Sequence, residues 1–209
     1  GMSAVIHAHR AIQAGDGDLF IAGGVENMTR GPWVISKSNQ PFGSDAQMYD
    51  SSFGWRFINP KMKALYGTDA MGETAENLAS MYSISREDQD QFAVWSQHKA
   101  AASADILAED ITPVSLPRKK QDPLVFNADE FVKGNTTLEG LAALKPAFRE
   151  DGSVTAGNSS GLNDGAAALL ISSDFAVRQN NLHPIAKILS SAVVGVEPRV
   201  MGIGPVGAS

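Results

Sequence analysis

From Val154 to Ala168 the chain reads Val-Thr-Ala-Gly-Asn-Ser-Ser-Gly-Leu-Asn-Asp-Gly-Ala-Ala-Ala and runs straight into Leu169-Leu170-Ile171. No other stretch limits the possible folds as strongly. Glycines allow a backbone to approach a ligand or another backbone closely. The serine and asparagine side chains among them supply short-range donors and acceptors. The apolar run that follows is suited to a central strand. From the residues alone, Asn163-Asp164-Gly165 is either a tight turn into a buried element or part of a loop that receives a ligand.

The elements around it alternate between helix and strand, which predicts an α/β layer. Met2 to Ala14 reads as a helix closed by Gly15, and Asp18 to Ala22 as a short buried strand ending at Gly23-Gly24. From Met28 to Ala70 the pattern dissolves into Gly, Pro, Ser and Asn with isolated aromatics, the signature of a functional or intersubunit excursion. Helical spacing resumes from Glu73 to Tyr82. Ser85 is the expected N-cap of a helix over Arg86 to Ala104, with Glu87 and Asp88 in its first turn. Phe92, Trp95 and Lys99 share one face of that helix, and the Phe/Trp stripe reads most simply as core. Ile111 to Val114 and Leu124 to Phe126 read as strands flanking the basic turn Arg118-Lys119-Lys120. That turn is either a solvated tip or, less simply, a phosphate contact. Thr136 starts a short helix toward Leu144, Asp174 caps one toward Asn180, and Ile185 to Val196 is apolar enough for a final strand.

Composition removes several classes of function. The formal net charge of -6 argues against a nucleic-acid partner, because a phosphate backbone selects basic faces. No apolar run approaches the ~18 residues needed to span a bilayer, and no signal peptide opens the chain. A cytoplasmic location is the resulting expectation. The absence of cysteine excludes disulfides and thiolate metal sites, and the four histidines are scattered without ligand spacing. No metal site is therefore expected. His7, His9 and His98 read as ordinary helix positions and His183 as a surface loop residue.

Five segments together resemble the thiolases, the acetyl-CoA acyltransferases. They are Ala22 to Arg30 (Ala-Gly-Gly-Val-Glu-Asn-Met-Thr-Arg), Met71 to Asn77 (Met-Gly-Glu-Thr-Ala-Glu-Asn), Ser85 to Asp90, the Val154 to Ala168 string, and Met201 to Val206. They lie in the family's order and cover essentially the whole chain. The stretch Tyr49 to Pro60 is most similar to thiolases that cleave 3-oxoadipyl-CoA. The resemblance implies an α/β fold with the layered α-β-α-β-α core of thiolases, present in part, and an inserted loop domain. Residues 1–31 and 163–183 would belong to the N-terminal half, 32–162 to the loop domain that covers CoA, and 184–209 to the start of the C-terminal half.

Thiolase chemistry uses a nucleophilic cysteine that carries the acyl group as a thioester, a second cysteine as acid/base, and an activating histidine. In the family the nucleophile lies in a Cys-x-x-Gly stretch whose glycine corresponds to Gly1, and the Gly-His-Pro and Cys-x-Gly motifs fall beyond Ser209. The resemblance therefore implies no catalytic residue within this chain, which alone is expected to be inactive. The alternative is a non-catalytic CoA-binding or oligomerising module derived from such an enzyme. By position, the family's contacts to coenzyme A, its substrate rather than a resident cofactor, carry over to Met71 at the inner end of the pantetheine arm and to Leu144 and Phe148 along it. They carry over also to Ala156, Ser160 and Leu162 in the signature loop, and to Lys133 at the adenosine end. Lys133 stands where an arginine is found, which keeps charge but loses planar stacking. Gly140 replaces a serine of some members. Arg56, near Lys61 and Lys63, is the candidate for the distal carboxylate of a 3-oxoadipyl group. A homo-oligomer is expected, because strands without neighbours leave free edges.

Overall fold

The computed structural model describes residues 1–209. In chain order the elements are α1 (Met2–Ala14), β1 (Leu19–Glu26), a 3-10 turn at Met28–Arg30, β2 (Trp33–Ile35), β3 (Met48–Asp50), α2 (Pro60–Tyr66), α3 (Met71–Tyr82), α4 (Arg86–Ala102), α5 (Ala104–Ala108), β4 (Val114–Arg118), β5 (Gln121–Phe126), α6 (Leu138–Ala142), β6 (Gly165–Ser172), α7 (Asp174–Asn180), a second 3-10 segment at Pro198–Ile203, and α8 (Gly204–Ala208). No helix is long and apolar enough to cross a membrane. The chain divides into two compact units. One comprises residues 1–68, 162–197 and 203–209, the other 69–161 and 198–202.

The first unit is built on an antiparallel pair, β1 and β6, in register from Leu19 opposite Ser172 to Glu26 opposite Gly165. The helix α1 ends at Gly15, which takes the left-handed conformation (φ 82°) and donates its N–H to the last carbonyls of the helix, the closure its sequence foretold. The expected end of β1 at Gly23-Gly24 is corrected, because the ladder to β6 continues through both glycines to Glu26. At Gly23 a Cβ would lie 2.5 Å from the Ala167 carbonyl oxygen, so the close approach itself requires glycine. Neither strand is buried as expected. Ala22 is covered, whereas Ile21 is 80% exposed and Leu170 54%, since each strand has one hydrogen-bonded neighbour. The apolar run Ile185 to Val196 forms no strand, because extended backbone becomes a strand only when a neighbour satisfies its N–H and C=O groups.

Ser173, not Asp174, caps α7. Its hydroxyl accepts from the Ala176 N–H (3.1 Å) and donates to Asp18 (2.6 Å). The 28–70 stretch is mostly irregular, with the three-residue ladder of β2 and β3 inside it. Its one helix, α2, has Asn59 as a side-chain cap and Pro60 at the first position, where a missing N–H costs nothing. A long-range contact closes this unit near the signature string. The Asp164 carboxylate accepts from the Thr29 N–H (2.9 Å) and hydroxyl (2.7 Å).

The second unit is largely helical, with the hairpin of β4 and β5 at one side. Its turn narrows to Lys119-Lys120, with Lys120 at φ 58°. Ser85 caps α4 as expected, accepting from the Asp88 N–H. The Phe92/Trp95 stripe is corrected from core to surface. The rings meet edge to face at 5.7 Å and are 65% and 52% exposed, and the Lys99 ammonium lies 4.1 Å from the Trp95 ring centroid. Residues on the opposite face, Asp90 and Val94, are the buried ones.

The two donors from Thr29, its backbone N–H first and its hydroxyl second, hold the Asp164 carboxyl below the ordinary aspartate range. A depressed folded-state pKa means the contact stabilises fully above the unfolded-state value and is lost as pH falls through the folded one. An NMR titration of the Asp164 carboxyl carbon is expected to give a low midpoint that rises part of the way to normal in Thr29→Ala, which keeps the N–H and removes the hydroxyl.

Candidate functional site

In the second unit the signature string forms a loop whose inner side is fastened by two buried carboxylates from different helices. Glu76 of α3, 4% exposed, accepts from the Val154 N–H (2.7 Å), the Ser153 N–H (2.8 Å) and the Ser153 hydroxyl (3.0 Å). Asp90 of α4, 3% exposed, accepts from the Asn158 side-chain amide (2.9 Å) with one oxygen and from Arg86 Nε (2.8 Å) with the other. Asn158 also donates to the Ser153 carbonyl (3.0 Å) and accepts from the Thr155 N–H (2.7 Å). Thr155, fully buried, folds its hydroxyl back to accept from the N–H groups of Gly157 and Asn158. These residues read locally as turn formers, because Thr and Asn side chains compete for nearby backbone. Buried carboxylates demand such partners, since an unpaired one is costly.

The outer side of the loop is left open. Ala156 and Ser160 are exposed, and the Ser160 hydroxyl has no hydrogen-bond partner within the chain. Leu144 packs beneath the loop. A Cβ at Gly157 would lie 2.5 Å from both Leu144 Cδ1 and Leu141 Cδ2. Arg86 anchors that segment by donating to the carbonyls of Leu141 (2.7 Å) and Leu144 (3.1 Å). The Phe148 ring lies directly over Gly72, where any Cβ would collide with it. This places Phe148 beside the start of α3 and the adjoining Met71, whose side chain is 73% exposed. The next residue, Arg149, is clamped by Glu73 (2.6 Å) and Asn77 (2.6 Å).

Lys133 is tied to α4 through its N–H, which donates to Gln97 (2.7 Å). Its ammonium lies 5.9 Å from the Phe131 ring, and Phe131 in turn packs on Gly161, next to Ser160. A shallow cavity of about 450 Å³ opens beside it, lined by His98, Asn135, Thr137 and Glu139 among others. His98 is engaged with the Thr136 carbonyl (2.8 Å). The second unit thus holds Met71, Lys133, Leu144, Phe148, Ala156 and Ser160, with Leu144 against the loop at Gly157 and Phe131, near the Lys133 ammonium, against it at Gly161. Leu162 and Arg56 belong to the first unit. Arg56 is exposed, donates to the Gly54 carbonyl (3.1 Å), and lines a shallow cavity of about 380 Å³ with Gly54 and Trp55. Lys61 and Lys63 are exposed on α2.

Glu76, Asp90, Asn158, Arg86 and Phe131 were not singled out from the sequence as part of the site. No local pattern marks Glu76 or Asp90, because a carboxylate on a helix ordinarily faces solvent.

The loop is glycine-rich, with the Ser160 hydroxyl free on its outer side and Leu141 and Leu144 beneath it. Similarity to known proteins supplies the family. Residues 1–174 match the thiolase N-terminal domain family. A beta-ketoadipyl-CoA thiolase of Acinetobacter baylyi is 53% identical over 206 residues, covering 98% of this chain and 51% of the relative. A 3-oxoadipyl-CoA/3-oxo-5,6-dehydrosuberyl-CoA thiolase of Escherichia coli is 52% identical over 211 residues, covering all of this chain and 53% of that one. The human mitochondrial 3-ketoacyl-CoA thiolase, solved in complex with CoA, superimposes with a TM-score of 0.84 at 35% identity, covering 100% of this chain and 51% of its own. The acetyl-CoA acetyltransferase of Bacillus anthracis matches with a TM-score of 0.85 at 37% identity, covering 100% of this chain and 52% of its own. The chain belongs to the thiolase family and has part of its α/β fold, spanning about half the length of the curated relatives it matches.

Removing the Asn158 side chain leaves the Thr155 N–H without its acceptor and one Asp90 oxygen without its donor. Asn158→Ala is expected to lower the unfolding free energy by about 1–3 kcal/mol, measured by urea denaturation.

Proposed function

We propose that this chain supplies the CoA-covering part of a thiolase that cleaves a 3-oxoacyl-CoA, 3-oxoadipyl-CoA in particular, with free CoA to give acetyl-CoA and a shortened acyl-CoA. The observation that carries the reading is the loop described above, fastened on its inner side and open on its outer side. In the whole protein the pantetheine arm runs along Ala156 and Ser160, with the Ser160 hydroxyl bonding an amide of the arm. Leu144 and Phe148 cover its methylenes, and Met71 marks its inner end. Lys133 meets the adenosine end with a point charge rather than a fork. On this reading residues 32–162 form the loop domain, and residues 1–31 with 163–183, and 184–209, belong to the two thiolase halves.

The chemistry of the whole reaction needs a thiolate to attack the 3-oxoacyl carbonyl and carry the acyl group. These 209 residues contain no cysteine, so the chain by itself binds rather than catalyses. No permanent cofactor enters the reading, since CoA is itself the substrate. The exposed faces of β1 and β6 support association with further polypeptide, a homo-oligomer included. The names of the relatives support a substrate with a distal carboxylate, for which Arg56 is the proposed recognition group.

Two experiments test this. Calorimetric titration of the chain with CoA is expected to show saturable binding, weakened about three- to ten-fold by Ser160→Ala, the loss of one hydrogen bond. Absence of binding by the unsubstituted chain would contradict the proposal for this chain. In a full-length thiolase carrying this chain, Arg56→Ala is expected to lower kcat/KM for 3-oxoadipyl-CoA about ten-fold or more relative to acetoacetyl-CoA. An unchanged ratio would remove Arg56 from the reading.

A further inference from the structure

We infer that Glu76 is a positioning residue for the CoA-arm loop, setting where Ala156 and Ser160 stand without itself meeting the ligand. The inference rests on the proposed CoA-arm site and adds a residue to it.

Glu76 sits on α3, one helical turn beyond Gly72, the glycine that receives Phe148. Its carboxylate reaches past the helix surface to the chain entering the loop. One oxygen takes the N–H groups of both Ser153 and Val154, and the other takes the Ser153 hydroxyl. The fit leaves no slack. A Cβ on Gly152 would collide with the Glu76 carboxylate, and the carbonyl of Val154 is held from the other side by the Ala147 N–H (2.9 Å). Three acceptor contacts to two consecutive residues determine both the position and the orientation of that peptide, whereas one contact would leave it free to pivot. The residues that follow are the loop itself. Two residues after Val154 comes Ala156, and the loop is caught again at Asn158 by Asp90 of α4. The ligand-facing residues lie between and just beyond these two fastenings. Displacement of the first one moves the outer side of the loop relative to Leu144 and Phe148, which are held by Arg86 and by Gly72.

The carboxylate is not unique in being able to do this, and that supplies the discriminating test. Glu76→Gln would keep a carbonyl oxygen that takes both backbone N–H groups, and the new side-chain amide can donate to the Ser153 hydroxyl with the hydroxyl reversed. Glu76→Asp keeps the charge but withdraws it by one methylene. CoA affinity by calorimetry and amide exchange at Ser153 and Val154 are measured on the unsubstituted chain, E76Q, E76D and E76A. Ser173→Ala, which removes the cap of α7 in the first unit, serves as a variant that costs stability without touching the fastening. Expected results are CoA affinity within about two-fold of the original for E76Q, about ten-fold weaker for E76D and E76A, and unchanged for S173A. Exchange at the two amides should accelerate in E76D and E76A alone. If E76A does not fold, E76D carries the test, since it retains the charge and most of the packing. E76D binding CoA as the unsubstituted chain does, with faster exchange at both amides, would overturn the inference while leaving the CoA site standing. No binding by the unsubstituted chain would overturn both.

Discussion

The second unit depends on a pair of buried carboxylates, Glu76 and Asp90, that reach from two helices to the same loop. Each is nearly inaccessible to water, so each must find its hydrogen-bond donors within the chain. The donors available are the backbone amides and side chains of Ser153 to Asn158. Burial of the two carboxylates and the conformation of the loop therefore require each other. A glycine-rich segment would otherwise sample many conformations. Here its inner side is committed to the protein and its outer side, Ala156 and Ser160, stays exposed. The same closeness of contact operates beneath it, where Gly157 and Gly72 admit Leu144 and Phe148 to within van der Waals reach of the backbone.

The first unit is organised differently. Its eight-residue ladder between β1 and β6 is complete in hydrogen bonds between the two strands, yet the apolar side chains along it remain largely exposed. A two-stranded pair covers little surface, and independent stability normally requires further strands or helices. That unit leaves apolar faces exposed, and the chain spans about half the length of the thiolases it matches.

Much of the helical framework was legible in the residues. Gly15 ends α1, Ser85 begins α4, and the spacing between Glu73 and Tyr82 foretold most of α3. These are local signals, set by caps and by left-handed closure within a few residues. The strands were less legible. β1 ran past its glycines and Ile185 to Val196 formed no strand, because strand formation depends on a partner far away in sequence. Ser173 rather than Asp174 capped α7 because its hydroxyl also had Asp18 to bond. Of the positions taken from the family resemblance, Met71, Lys133, Leu144, Phe148, Ala156 and Ser160 lie in the second unit, and Leu162 and Arg56 in the first. The groups that hold the loop in place escaped notice. Glu76 and Asp90 look like ordinary solvent-facing helix residues until their burial is known.

The order of the motifs and the glycine-serine-asparagine string by themselves determined the family of this chain and the absence of a thiolate nucleophile from it. Both are matters of which residues are present. Tertiary structure alone decided which charges are buried, which apolar residues are not, and how the loop is held. Phe92 and Trp95 went to the surface while Asp90 went inside. Periodicity places residues on a common helix face but cannot say which face meets the rest of the protein. That choice is made by the segments it packs against, here the loop from Ser153 to Asn158, whose donors become available to the two carboxylates only once the chain has folded back over more than sixty residues.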